Sequence, residues 1–156
     1  MNIRNTRNTR IPRLELVGLL GLVGLLSVAC GDGGEPPDDN VCLQPLAATC
    51  TPDINITYDE IYSRVLSPSC LGSGCHGATN TQGNLNLSTP DLAYQQLLGQ
   101  DGARARVLPG DPECSMLLER IETDDRTRRM PYMAADKLRA GARCAIQKWI
   151  EAGAQR

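Results

Sequence analysis

Apolar residues fall into one early run and then into short groups at helical spacing. The early run, 16–29, is rich in Leu, Val and Gly and follows Arg4, Arg7, Arg10 and Arg13 with no acid among them. It is shorter than the about 20 residues needed to cross a hydrocarbon core. A basic start, a short apolar stretch and small residues before Cys30 predict a secretory signal peptide over 1–29. Residues 30–56 include Gly31-Asp32-Gly33-Gly34-Glu35-Pro36-Pro37, too polar and too rich in Gly and Pro to order alone, and predict a disordered tether.

Helical periodicity begins at Thr57. Thr57-Tyr58-Asp59-Glu60 is a capping box. Ile61, Val65 and Leu66 then form a stripe beside Tyr58 and Tyr62, until Pro68 stops the pattern. Thr89-Pro90-Asp91 opens a second helix that Gly99 ends. Asp111-Pro112-Glu113 opens a third, through Cys114, Leu117, Leu118 and Ile121. The last spans 136–152, with Leu138, Ala142, Ala145 and Trp149 on one face and Gly153 beyond it. No alternating pattern calls for a strand. The expectation is an all-α domain over 57–156, of about four helices with long loops.

Composition removes several functions. A single His excludes a multi-His metal centre, a bis-His haem and a two-His protease motif. Four Tyr, one Trp, no Phe and a net charge of −2 argue against a nucleic-acid partner, which calls for a basic face and stacking rings. Seven Cys point to an oxidising compartment, and the odd count leaves one with other work. Leu26-Ser27-Val28-Ala29-Cys30 resembles the lipobox of bacterial lipoproteins, with Leu26 one place earlier than usual. That resemblance implies lipidation of Cys30, export, and anchoring in the bacterial envelope, on the periplasmic or surface side of the outer membrane. Several acyl chains on one residue hold stably where a single chain does not.

The chemistry concentrates in Cys70-Leu71-Gly72-Ser73-Gly74-Cys75-His76. Two thiols with an imidazole directly after the second are what covalent haem attachment requires: the sulfurs bond the porphyrin vinyl groups and the imidazole ligates iron. The usual pattern is Cys-x-x-Cys-His, so two additional residues bulge here, helped by Gly72 and Gly74. The same residues allow two other readings. One is a Cys70–Cys75 disulfide beside a solvated His, which makes the chain a haem-free, disulfide-stabilised lipoprotein serving as a binding or scaffold module. The other is a zinc site, which still needs a fourth ligand. No Ser-His-Asp set, phosphate loop or paired acid is found.

The Cys70…Cys75-His76 start resembles the class I c-type cytochrome domains of bacterial envelope lipoproteins. So do Val107-Leu108-Pro109-Gly110-Asp111-Pro112-Glu113-Cys114-Ser115, Arg129-Met130-Pro131 and the closing Ile146-Gln147-Lys148-Trp149-Ile150-Glu151-Ala152-Gly153-Ala154. The resemblance spans about 57–154. It implies one covalent haem c per chain, held by Cys70 and Cys75, with His76 as proximal ligand and Met130 as distal ligand. It also implies that the Trp149 helix crosses the first helix near Tyr62. With no second His, the other axial position falls to Met, Lys or a weaker donor. Met116 lies in a predicted helix, whereas Met130 and Met133 flank Pro131, so Met133 is the fallback ligand. Pro109 is a candidate carbonyl partner for the other nitrogen of His76, and Arg126, Arg128 and Arg129 are candidates for the propionates or an acidic partner. Of the remaining cysteines, Cys42 and Cys50 are expected to bridge each other across a small loop. Cys114 and Cys144, both on predicted helices, form the second pair. A six-coordinate iron disfavours substrate chemistry, so the implied protein is an electron carrier with a transient redox partner rather than an enzyme.

Overall fold

The computed structural model describes Cys42 and residues 49–100 and 105–156. The signal peptide expected over 1–29, Cys30 and most of the tether expected over 30–56 lie outside the described residues. Among the described residues the fold is all-α, without strands. No helix among them is long and apolar enough to cross a membrane.

Thr57 caps the first helix, accepting from the Glu60 N–H at 3.4 Å. Helix α1 (Tyr58–Ile61), a π-helical turn (Tyr62–Leu66) and α2 (Ser67–Cys70) then run on with helical backbone throughout. Pro68, expected to end the helix, is instead accommodated. A proline ring clashes with the carbonyl four residues back, and the widened turn just before Pro68 relieves that clash and carries the helix to Cys70. Thr89 caps α3 (Pro90–Leu97), accepting from the Leu92 N–H at 3.3 Å, and Gly99 beyond it takes φ 68.

The third helix starts later than its proline suggests. Asp111 accepts the Cys114 N–H on its side chain at 3.1 Å, and the Ser115 hydroxyl donates to the Asp111 carbonyl at 2.7 Å. These bonds make 111–115 a turn, so Cys114 precedes α4 (Met116–Glu122) rather than lying on it. Helix α5 (Ala140–Glu151) buries Ala142, Cys144, Ala145, Ile146, Gln147, Trp149 and Ile150. Burying each large apolar chain of this set contributes about 1.5–3 kcal/mol. Against α5 sits the first rod: the Tyr58 ring lies 5.6 Å from Trp149 and, edge-on, 4.9 Å from Tyr94. Tyr58 rather than Tyr62 thus makes the aromatic contact with the closing helix. Its hydroxyl donates to the Pro90 carbonyl at 2.7 Å, and burial pushes its pKa up.

The disulfides correct two expectations. Cys42 is bonded to Cys114 and Cys50 to Cys144, in place of Cys42–Cys50 and Cys114–Cys144. The cause lies in 49–56, which is no loose spacer but packs on the domain. Ile54 rests on the core, and Arg139 donates to the Asp53 carboxylate at 2.5 Å. A Cβ built on Gly141 would lie 2.8 Å from the Asp53 backbone nitrogen. Cys50 is thereby laid along α5 at Cys144. The bridges join residues 72 and 94 positions apart. Each contributes about 4.5 kcal/mol in the chain-entropy model, against about 2.5–3.6 kcal/mol for the two shorter-range pairs.

Non-reducing peptide mapping should recover Cys42–Cys114 and Cys50–Cys144 as the linked pairs. Recovery of a Cys42–Cys50 peptide would contradict the path of this segment. Gly141→Ala should lower stability by about 1–3 kcal/mol in thermal melts, because the added methyl meets Asp53 backbone. Helix propensity alone predicts the opposite sign, a gain of about 1 kcal/mol.

Candidate haem-attachment site

The first rod delivers Cys70 at its C-terminal end. The chain then loops back, and the loop is closed twice. The His76 N–H donates to the Cys70 carbonyl at 3.1 Å, and inside it the Cys75 N–H donates to the Gly72 carbonyl at 3.0 Å. Gly74 takes φ 83, the left-handed region that a side chain would disfavour. The two additional residues of the spacer are therefore absorbed in a hydrogen-bonded turn.

The following segment returns to lock this turn. The Gln82 N–H donates to the Cys75 carbonyl at 3.3 Å and the Leu87 N–H to the His76 carbonyl at 2.7 Å. Leu87 is buried, and its own carbonyl accepts from the Tyr62 hydroxyl at 3.0 Å. Tyr62, in the π-helical turn, is thus one hydrogen-bonded residue away from the backbone of His76. Arg106 steadies the returning loop, donating to the Gly83 and Asn84 carbonyls at 2.8 and 3.1 Å. Neither Leu87 nor Arg106 stood out in the sequence. Leu87 reads as one apolar residue outside any periodic stretch, and nothing marks Arg106 off from other arginines.

Cys70 and Cys75 are free thiols, while Cys42, Cys50, Cys114 and Cys144 are all bridged. Burial first, and then the neighbouring Cys75, push the Cys70 thiol up to about 11. Nδ1 of His76 is buried without a hydrogen-bond partner, so the expected contact with the Pro109 carbonyl is not made. An unmet buried donor or acceptor costs about 1–3 kcal/mol, which marks this ring as one for which the polypeptide supplies incomplete company. Two unbonded thiols with an imidazole directly after the second fit the attachment of haem by the chemistry of the donor set. Among the described residues no group of three or more His, Cys, Asp or Glu is placed to hold a metal ion by itself.

The remaining candidates separate by burial. Met130 is partly buried and packs against the core, and its N–H donates to the Arg120 carbonyl at 2.7 Å. Met133 is 65% exposed, and Met116 opens α4. The three arginines also part company. Arg128 pairs with Glu119 at 2.9 Å, Arg126 is exposed, and Arg129 turns inward and is buried.

In protein made without haem attachment, Cys70 should alkylate with iodoacetamide far more slowly at pH 8 than in the unfolded chain, and faster as pH approaches 11. Equal rates in folded and unfolded protein would contradict its burial.

The family model described as Planctomycete cytochrome C matches residues 72–131. No curated protein and no solved structure matches the chain. The matched segment takes in Cys75, His76 and Met130 and supports a cytochrome c-like domain at this site.

Proposed function

We propose that the chain is a lipid-anchored monohaem c-type cytochrome that carries single electrons in the bacterial cell envelope. The observation that supports this most is the sorting of cysteines: four are consumed in bridges, and the two left free are those flanking the spacer before His76. The match to a cytochrome family over 72–131 points the same way.

In this reading Cys70 and Cys75 would hold the haem covalently through their sulfurs. His76, its backbone clamped by Cys70 and Leu87, presents the imidazole as proximal ligand. Met130 provides the distal thioether, favoured over Met133 because it faces the core rather than solvent. When bound, haem supplies reversible one-electron exchange, and Met/His ligation places it at higher potential than two imidazoles would. With His76 and Met130 both committed to the iron, the chain would serve as a carrier that passes electrons over a small transient interface. Cys30 carries the lipid that holds the domain at the membrane.

A redox titration of natively produced protein should give a single one-electron step with a haem spectrum that acid-acetone extraction does not remove. Met130→Ala should lower the potential and let the ferrous form bind carbon monoxide. A colourless protein, or Met130→Ala with unchanged spectrum and potential, would overturn the assignment of carrier or of ligand respectively.

A further inference from the structure

Arg129 directly precedes Met130 and is only 8% exposed. A guanidinium goes below the surface only where its donors find acceptors. Here they find backbone: Nη2 donates to the Ala134 carbonyl at 3.0 Å and to the Ala135 carbonyl at 3.3 Å. Its own N–H donates to the Asp125 carbonyl at 2.8 Å, while the Met130 N–H reaches the Arg120 carbonyl at 2.7 Å. The loop 130–135 is therefore held at its start by α4 and at its far end by the Arg129 side chain. Within it the Ala134 N–H donates to the Pro131 carbonyl at 3.2 Å. Met133 takes φ 59, a left-handed conformation for a residue with a side chain, which persists only where the surroundings impose it.

We propose that Arg129 is a positioning residue for Met130: by gripping the Ala134 and Ala135 carbonyls it fixes the loop from which the thioether is presented. The inference rests on the haem reading above. Both bonds come from Nη2, which the guanidinium plane holds in a fixed direction, whereas a lysine ammonium sits at the end of a flexible stem. The arginine expected to meet propionates or a partner is thus turned to shaping the ligand loop.

The test uses the full chain produced with covalent haem, as Arg129→Gln, Arg129→Lys, Met130→Ala and Lys137→Met. Lys137 is the control, because its ammonium holds the neighbouring chain through the Glu122 carbonyl and Asp124, whereas Arg129 grips the Ala134 and Ala135 carbonyls. The readouts are the thioether-to-iron charge-transfer band of the ferric protein and carbon monoxide binding to the ferrous protein. Arg129→Gln should keep its helical circular dichroism and its haem, yet lose the band and bind carbon monoxide as Met130→Ala does. Arg129→Lys should retain only part of the band, and Lys137→Met should lower the melting temperature with the band intact. Full bands in both Arg129 variants would overturn the proposal, as would equal loss of the band in Lys137→Met. Should Arg129→Gln not accumulate, Arg129→Lys decides alone. Wild-type protein without the band, or a band indifferent to Met130→Ala, defeats the Met130 reading itself and so is told apart from failure at Arg129.

Discussion

The candidate site depends on one backbone constraint: the turn that brings His76 back onto the end of the first helical rod. The His76 N–H to Cys70 carbonyl bond closes that turn, and the Leu87 N–H to His76 carbonyl bond seals it from the other side. Together they set the sulfur-bearing residues and the imidazole on one short piece of chain whose position the core dictates. The core reaches it by two routes. One is the rod itself, whose Tyr58, Ile61, Val65 and Leu66 are buried in the cluster that includes Trp149 of α5. The other is the Tyr62 hydroxyl on Leu87. A site built on a loop gains rigidity only in this way, by hydrogen bonds to elements that cannot move.

Two helix starts were legible in the sequence, while the third and last helices begin later than expected, at Met116 and Ala140. Thr57 and Thr89 cap as their side chains suggest, because an N-cap is a local interaction between a hydroxyl and an N–H three residues on. Helix continuation was less legible. Pro68 clashes with an ordinary α-turn, but the π-helical turn before it relieves the clash and keeps Val65 and Leu66 buried. At Asp111-Pro112-Glu113 a turn won over a helix start, because the Asp111 side chain and the Ser115 hydroxyl satisfy the backbone groups first.

Long-range pairings were hidden for a different reason. Composition marks 30–56 as poor in core residues, yet a few anchors suffice to dock 49–56: Ile54 on the core, Asp53 at Arg139 and Gly141, Cys50 at Cys144. Nothing local in Cys42 or Cys50 reveals a partner so far along the chain. The Cys-His cluster, by contrast, was plain in the sequence. Its chemistry resides in residue types at fixed spacing, and what the fold adds is that the two thiols remain unbonded and one ring nitrogen remains unsatisfied. Arg129 shows the limit of charge patterning: it lies in a run of arginines that reads as a solvated or partner-facing loop, and only the fold shows it turned inward.

The most direct test of the account is the mass of tryptic peptide 65–104 from natively produced protein, since that peptide contains Cys70, Cys75 and His76 and no internal Lys or Arg. The account predicts a peptide heavier by one haem, with neither thiol open to alkylation. A peptide of unmodified mass, its two sulfurs joined to each other or both free, would contradict it.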